Sequence, residues 1–375
     1  GGVPDTTPRA RFAHGAADPS WGAAYPLILW YAYQQYGDRR LLEQHFDGIR
    51  KWSDFLWSKS TGGTTDFVKY GDWVPVDFTP GPLTSTVYSY AAADVAAKAA
   101  HVLGKSAEEQ ALRQRCTEIK DGFNKRFFNA AEGYFGNGSQ GAQVLPLAYG
   151  LADDKNRGRA QSYLWNQIVY HNNSHLTTGI LATKHLLPLL SRNGNLDLAY
   201  DIATKTDFPS WGYMIQNGAT TLWELWQKRE GPSMNSHNHA MFGSIGGWFI
   251  TDLAGIQLVE GGEGYEKVVI RPGVTRELKW AAGNFETLRG KVLSSWRRTD
   301  DGLRLEVMVP FGSTARIFVP KLGLHDVSVS EGGKPLWQDK KSAGSVEGVT
   351  AVSENEDDVV VDAGSGHYTF HLKGL

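Results

Sequence analysis

Two kinds of hydrophobic spacing divide this chain, and the change between them near Gly261 constrains the fold more than any other feature. From about residue 23 to residue 255, apolar side chains recur at intervals of three and four, as they do on the buried face of an α-helix. After Gly261-Gly262 the apolar runs become short and rich in β-branched residues, and Gly, Pro or Asp-Gly turns separate them. The sequence therefore predicts a helical domain over residues 1–260 and a β-domain over residues 261–375.

In the helical part, the spacing of apolar residues predicts about ten short helices joined by tight turns. They cover residues 25–36, 39–56, 91–103, 107–128, 143–149, 155–169, 179–190, 196–204 and 239–253, and the spacing of Trp223 and Trp226 indicates a further helical face. Many end in Gly, Asn or Asp before the next begins, which is typical of antiparallel pairs. No repeat of about 33 to 47 residues is visible, which disfavours an open solenoid. We expect the hairpins to form an α/α toroid, a six-hairpin barrel that is incomplete at its N-terminal end.

The short β-rich runs after Gly261-Gly262 predict a C-terminal antiparallel β-sandwich of about 110 residues. Its predicted strands cover residues 267–272, 291–297, 303–309, 314–320, 359–362 and 367–372. Asp300-Asp301-Gly302 has the composition of a hairpin turn. The acidic stretch Glu354 to Asp358 is interpreted as a solvated turn between strands rather than as a calcium-binding loop.

Charge and composition exclude several classes of function. The chain has 38 Lys and Arg against 40 Asp and Glu, a formal charge of -2, so the usual electrostatic basis for binding nucleic acid or an anionic membrane is missing. Cys116 is the only cysteine, which excludes an internal disulfide. The pair His237-x-His239 does not have the spacing of metal ligands on one face, so neither a metal nor another cofactor is predicted.

Acidic and aromatic residues cluster at the predicted helix boundaries. The chain has 13 Trp, 15 Tyr and 16 Phe. Four clusters stand out: Asp18 to Gly22, Tyr70 to Trp73, Pro209 to Tyr213 with its continuation Thr220 to Trp226, and Asn235 to His239. A carboxylate beside an indole ring is typical of sugar sites, because the carboxylate binds hydroxyl groups while the ring covers the C–H face. We interpret Asp72 and Glu224 as functional, whereas the three-residue spacing of Trp223 and Trp226 indicates a helix face turned toward the core.

Several longer stretches carry a resemblance to a known family. In chain order they are Val3-Pro4-Asp5, Pro19-Ser20-Trp21-Gly22, Tyr36-Gly37-Asp38, Gly71-Asp72-Trp73, Leu176-Thr177-Thr178-Gly179, Tyr213-Met214-Ile215, Gly218-Ala219-Thr220-Thr221-Leu222-Trp223-Glu224, Asn238-His239, Phe242-Gly243, Gly264-Tyr265, Ile270-Arg271-Pro272 and Ser294-Ser295-Trp296. Together they resemble the bacterial and fungal α-L-rhamnosidases over nearly the whole chain. The stretch from Thr220 to Glu224 is the most specific.

The resemblance implies an inverting glycoside hydrolase that removes terminal α-L-rhamnose from a glycoside or oligosaccharide. By the same resemblance Glu224 is the general base. The residues that match positions walling or hydrogen-bonding the rhamnose subsite are Trp21, Asp72, Trp73, Trp211 and His239. An inverting pair needs a second carboxylate about 6.5–9.5 Å from the first to protonate the leaving oxygen.

Two departures from the family concern that second carboxylate. The family's general acid is a glutamate upstream of the Trp21 stretch, whereas the first glutamate of this chain is Glu43, inside a predicted helix. Ala23 also stands where the family usually has an aspartate. We therefore expect the chain to be the C-terminal part of a longer enzyme, with an open seam in its barrel. Asp18 and Asp72 are the only nearby carboxylates that could replace the missing acid.

Two other functions stay open on the sequence alone. A carbohydrate-binding protein that has lost catalysis would also account for Ala23 and for the missing acid. An α/α-barrel glycosidase or lyase acting on uronic acids would need basic residues around its pocket, and the four clusters contain neither Lys nor Arg.

Overall fold

The computed structural model describes residues 1–8 and 15–374, which form two compact units. One unit comprises Gly1–Tyr31 and Arg39–Ser244 and is mainly helical. The other comprises Ala32–Asp38 and Ile245–Leu375 and is mainly β. None of the helices within these described ranges is long and apolar enough to cross a membrane.

The helices of the described residues follow the predicted hairpin pattern. They are α1 (Pro19–Gly22), α2 (Ala24–Tyr36), α3 (Arg40–Trp57), α4 (Gly81–Val102), α5 (Ser106–Phe127), α6 (Gln140–Ala148), α7 (Asp154–Asn166), α8 (Ile180–Arg192), α9 (Leu196–Thr204), α10 (Trp211–Gln216) and α11 (Ile245–Trp248). Short 3₁₀ turns cover Gly231–Ser233, Ala240–Ser244 and Glu263–Tyr265, and π-helical turns cover Gln167–His171 and Phe249–Leu253.

Periodicity explains most of these helices, and α3 shows how. Its side chains Leu42, Phe46, Ile49, Trp52 and Leu56 lie three or four residues apart and are all buried. Such a stripe faces the core on one side and leaves the polar side chains in water. The α3 stripe therefore confirms the prediction for this segment.

Two predicted helices differ from the observed ones for identifiable reasons. Helix α4 begins ten residues earlier than predicted, at Gly81 instead of residue 91. Its first turns contain Thr84, Ser85 and Thr86, which have weak helix propensity, but they are buried against other helices, so tertiary packing outweighs propensity. The predicted helix 239–253 is instead a 3₁₀ turn, a short α-helix and a π turn. The closely spaced Gly243, Gly246 and Gly247 weaken a regular helix there.

Sixteen strands occur among the described residues. Two small hairpins lie in the helical unit: β1 (Ser60–Thr61) with β2 (Thr64–Thr65), and β3 (Phe128–Asn129) with β4 (Tyr134–Phe135). The others are β5 (Ile256–Leu258), β6 (Lys267–Ile270), β7 (Trp280–Thr287), β8 (Gly290–Thr299), β9 (Gly302–Val309), β10 (Thr314–Pro320), β11 (Val327–Glu331), β12 (Lys334–Gln338), β13 (Lys341–Ser342), β14 (Val349–Glu354), β15 (Asp358–Ala363) and β16 (Gly366–Gly374).

The β-unit is a sandwich of two sheets. One sheet has the strand order β14-β15-β10-β6-β5, and the other has the order β13-β12-β11-β16-β9-β8-β7. Ile317 and Val361 of the first sheet share a buried core with Trp296, Leu305 and Phe370 of the second. The prediction of a purely antiparallel sandwich is wrong at one place, because β6 and β10 pair in parallel.

Both predicted turns of the sandwich are confirmed. In the β8–β9 hairpin Thr299 pairs with Gly302, which leaves Asp300 and Asp301 as a two-residue loop. In the acidic turn between β14 and β15, the side chain of Asn355 accepts hydrogen bonds from the backbone N–H groups of Asp357 and Asp358. These side-chain bonds close the turn locally.

We expect Trp296→Ala to lower the free energy of unfolding of the β-unit by about 3–5 kcal/mol. The Trp296 ring is 1% exposed, and its Nε1–H donates to the carbonyl of Leu253 at 2.8 Å. Trp280→Ala is the matched control, since Trp280 lies on the neighbouring strand and is 54% exposed. Urea unfolding of both variants measures the difference. A loss at Trp296 no larger than the loss at Trp280 would contradict the packing described.

Candidate active site

Glu224 lies in an extended loop, not in a helix. Residues 221–224 run antiparallel to residues 236–239: the N–H of Glu224 donates to the carbonyl of Ser236 at 2.9 Å, and the N–H of His239 donates to Leu222 at 2.9 Å. The helical face predicted for Trp223 and Trp226 is therefore wrong, because the backbone there bonds to another segment. Trp223 and Trp226 are nevertheless both buried, as predicted.

Hydrogen bonds hold both oxygens of the Glu224 carboxylate. The indole Nε1–H of Trp73 donates to Oε1 at 2.8 Å, and the backbone N–H of Ser236 donates to Oε2 at 3.0 Å. Partial burial raises the pKa of Glu224. The bonds from Trp73, Ser236 and the Asn235 side chain, together with the charge of His239, outweigh burial and leave the pKa below its ordinary value. The carboxylate is therefore ionised at neutral pH, which suits a base and not an acid.

Three aromatic rings, each in contact with the next, lie between the Glu224 carboxylate and a cavity. Trp73 packs edge-on against Tyr70 with 6.0 Å between ring centroids, and Tyr70 packs against Trp21 at 4.8 Å. Trp21 lines a cavity of about 400 Å³ whose wall also includes Tyr31 and Met241. The structure thus brings together three of the predicted site residues, Trp21, Trp73 and Glu224, which are distant in the sequence.

His239 and Trp211 lie at different depths around the Glu224 loop. His239 is half-buried, and its Nδ1 is buried with no hydrogen-bond partner among the described residues, so sugar contact by His239 stays a prediction. Trp211 is buried, donates its Nε1–H to the carbonyl of Phe242 at 3.0 Å, and packs edge-on against Trp226. Trp211 therefore packs in the interior against the loop that carries Glu224. Direct sugar contact by Trp211 stays a prediction.

The two aspartates that could replace the missing acid are both bound to backbone N–H groups. Asp18 is buried and accepts from Ser20, Lys69 and Tyr70. Asp72 is 4% exposed, and both of its oxygens accept N–H groups at the start of α8. Burial raises the pKa of Asp72 to about 6, and the backbone bonds offset part of that effect. Both carboxyls are also almost completely buried, unlike the half-buried Glu224, so neither faces a leaving group.

The N-terminus of α8 is the part of this region that sequence reasoning missed. The stretch Leu176 to Gly179 was among the resembling segments, but no role followed from it. A glycine directly before a helical pattern was the available signal. No group of three or more His, Cys, Asp or Glu side chains in residues 1–8 and 15–374 is arranged to hold a metal ion.

A domain of helical hairpins followed by a β-sandwich, with a carboxylate set among indole rings, is the architecture of the six-hairpin glycosidases. Residues 1–253 match the model of the bacterial α-L-rhamnosidase six-hairpin glycosidase domain, and residues 255–334 match that of the bacterial α-L-rhamnosidase C-terminal domain. The chain belongs to the bacterial α-L-rhamnosidase family.

Curated relatives agree with this assignment. An α-L-rhamnosidase of Streptomyces avermitilis is 36% identical over 307 residues, covering 80% of this chain and 29% of that protein. An α-L-rhamnosidase of Formosa agariphila is 29% identical over the whole chain and 40% of its own length. The chain thus spans well under half of the length of these relatives.

Solved structures show the same fold. The α-L-rhamnosidase of Dictyoglumus thermophilum superposes with a TM-score of 0.89 and 35% identity, over 96% of this chain and 40% of that one. The Streptomyces avermitilis α-L-rhamnosidase, solved in complex with L-rhamnose, gives a TM-score of 0.83 and 33% identity over 93% of this chain and 32% of that one.

Proposed function

We propose that this chain carries the general base and part of the sugar site of an inverting α-L-rhamnosidase. The observation that carries the proposal is the half-buried Glu224 carboxylate, held ionised by the N–H groups of Trp73 and Ser236. In the proposed step Glu224 accepts a proton from water, and the water oxygen bonds to C1 of rhamnose. The C1–O bond on the opposite face breaks, and its electron pair stays on the leaving oxygen, which an acid protonates.

The rings beside Glu224 fit a rhamnose unit at the end of a glycoside. Indole faces such as those of Trp21 and Trp73 pack against the C–H groups and the C5 methyl of the sugar. His239, half-buried and bonded through its backbone to the Glu224 loop, is proposed to bind a sugar hydroxyl. The general acid is proposed to lie outside residues 1–375, because Asp18 and Asp72 are buried, at 0% and 4% exposure, as well as bound by backbone donors.

Hydrolysis of aryl glycosides by the protein expressed from its full open reading frame tests this function. We expect 4-nitrophenol to be released from the α-L-rhamnoside and not from the α-D-galacturonide, since both matching family models are those of α-L-rhamnosidases. Release from the galacturonide alone would contradict the proposal.

Sugar binding without catalysis is a second candidate function. Ala23 and the engagement of Asp18 and Asp72 favour it, because each removes a carboxylate that hydrolysis could use. Titration calorimetry of the same full-length protein with L-rhamnose distinguishes the two. Binding without any turnover would support the second candidate, whereas turnover would exclude it.

We expect Trp73→Phe to shift the acid limb of the kcat/KM profile to higher pH. The base must be ionised to act, and losing the indole N–H removes one of the bonds that keep the pKa of Glu224 low. Activity should therefore decline at a higher pH in the variant than in the parent enzyme. Tyr70→Phe is the matched control, because that hydroxyl bonds to Asp5 and not to Glu224. Superimposable acid limbs for Trp73→Phe and its parent would contradict the role given to the indole.

A further inference from the structure

The first turn of α8 donates all of its initial backbone N–H groups to two adjacent residues, Asp72 and Trp73. The Gly179 N–H donates to Oδ2 of Asp72 at 2.9 Å. The N–H groups of Leu181 and Ala182 donate to Oδ1 at 2.9 and 3.3 Å. The Ile180 N–H between them donates to the carbonyl oxygen of Trp73 at 3.0 Å. The four donors that a helix start leaves without partners are thus all satisfied by residues 72 and 73.

We call the bonds from the N–H groups of residues 179–182 to Asp72 and Trp73 the α8 anchor. Two glycines, Gly179 and Gly141, allow the close packing around it. A Cβ atom on Gly179 would clash with the carbonyl oxygen of Trp73 and would lie 2.7 Å from Oδ1 of Asp72. A Cβ atom on Gly141 would lie 3.0 Å from Oδ2. Gly179 has φ of -84°, which any residue adopts, so close approach to Asp72 and Trp73 is the physical reason for glycine at this position.

The anchor is linked directly to the base. Trp73 has its backbone carbonyl fixed by α8, while its side chain donates the 2.8 Å bond to Glu224. On the other side of the same loop, Asp18 accepts the N–H groups of Lys69 and Tyr70 at 2.7 and 3.0 Å. Residues 69–73 are therefore held at both ends by buried carboxylates, and the indole between them points at Glu224.

We infer that Asp72 is a positioning residue for Glu224, which it holds through the α8 N-terminus and the indole of Trp73, instead of a ligand of the sugar. The resemblance implies direct contact between Asp72 and a sugar hydroxyl, but Asp72 is 4% exposed and both of its oxygens already accept backbone N–H groups. The positive end of the α8 dipole compensates the buried charge at this place. This role rests on the proposed function, since only a base gains from being held with its pKa low.

The titration of Glu224 itself tests the coupling without any need for turnover. Glutamate labelled with ¹³C at Cδ gives one signal for each glutamate, and Glu224→Gln identifies the signal of Glu224. The midpoint is then compared in the parent chain, Asp72→Asn, Trp73→Phe and the double variant. We expect each single variant to raise the midpoint of Glu224, and the double variant to match Trp73→Phe, because Asp72 acts only through the indole.

Two further variants separate this coupling from loss of structure. Asp358→Asn is the control for removing a buried carboxylate, since Asp358 is similarly buried but lies in the β-unit. We expect it to leave the Glu224 midpoint unchanged. If Asp72→Asn does not fold, Gly179→Ala displaces the same anchor while keeping the charge, and it should raise the midpoint as well.

Three results would overturn the positioning role. The first is an unchanged Glu224 midpoint in folded Asp72→Asn together with weaker L-rhamnose binding, which would make Asp72 a direct ligand. The second is an effect of Asp72→Asn that persists in full in the Trp73→Phe background. The third is unfolding of both Asp72→Asn and Gly179→Ala, which would show that the anchor serves the helical unit as a whole. An enzyme inactive toward rhamnosides would refute the proposed function and leave the measured coupling intact.

Discussion

Replacing Glu224 with glutamine should lower kcat on an aryl α-L-rhamnoside by about 10²–10⁴-fold in the full-length protein. The amide has nearly the same size and still offers an oxygen to the indole N–H of Trp73, but it cannot accept a proton from water. The loss should fall mainly on kcat, because the missing interaction is needed in the transition state and not for binding.

A neighbouring glutamate provides the control. Glu230 follows in the same loop, is exposed, and pairs with Lys228 at 3.3 Å instead of with the site. Glu230→Gln should keep kcat within about twofold of the parent value, as expected for a surface substitution. Circular dichroism and thermal unfolding confirm that both variants fold. A Glu224→Gln variant with near-normal kcat would remove Glu224 from the mechanism.

We expect residues 1–375, expressed by themselves, not to hydrolyse rhamnosides measurably. Asp18 and Asp72 are engaged by backbone N–H groups, and Glu43, the first glutamate, is half-exposed on α3 in an ion pair with Arg39. Without an acid to protonate the leaving oxygen, a rate factor of about 10²–10⁴ is lost. An apolar helix with an uncovered face fits this expectation, since Ile28 on α2 is 64% exposed.

Comparing residues 1–375 with the protein from the full open reading frame measures this effect. Both forms are assayed at equal concentration on the same alkyl α-L-rhamnoside, whose leaving alcohol needs protonation, and L-rhamnose binding to each is measured by calorimetry. Equal turnover by the two forms would contradict the expectation. In that case loss of activity in Asp18→Asn or Asp72→Asn would identify the acid within this chain.

The spacing of apolar residues predicted most helices of the helical unit, because each of these helices buries one stripe of apolar side chains. Helix α9 was predicted at its observed bounds, 196–204, since its apolar spacing defines it locally. The early start of α4 could not be predicted, because Thr84 and Ser85 become helical only when other helices bury them. The parallel pairing of β6 with β10 depends on strands more than 40 residues apart, and no local signal marks it.

Sequence analysis selected residues that the structure brings together, but it did not predict the bonds between them. Glu224 and Trp73 were both selected as acid-aromatic residues, yet the bond between them joins positions 151 residues apart. Asp72 was selected as a sugar ligand because a carboxylate beside an indole has the right chemistry. Its partners at Gly179 and Leu181 are backbone groups, which have no signature in the sequence pattern.

The anomer that forms first is the most direct test of inverting hydrolysis with Glu224 as general base. Proton NMR follows the full-length enzyme acting on 4-nitrophenyl α-L-rhamnoside, fast enough to precede mutarotation. A base that activates water on the face opposite the leaving group gives β-L-rhamnose as the first product, with the α-anomer appearing only later. Initial formation of α-L-rhamnose would show retention and a covalent intermediate, and it would contradict the role assigned to Glu224.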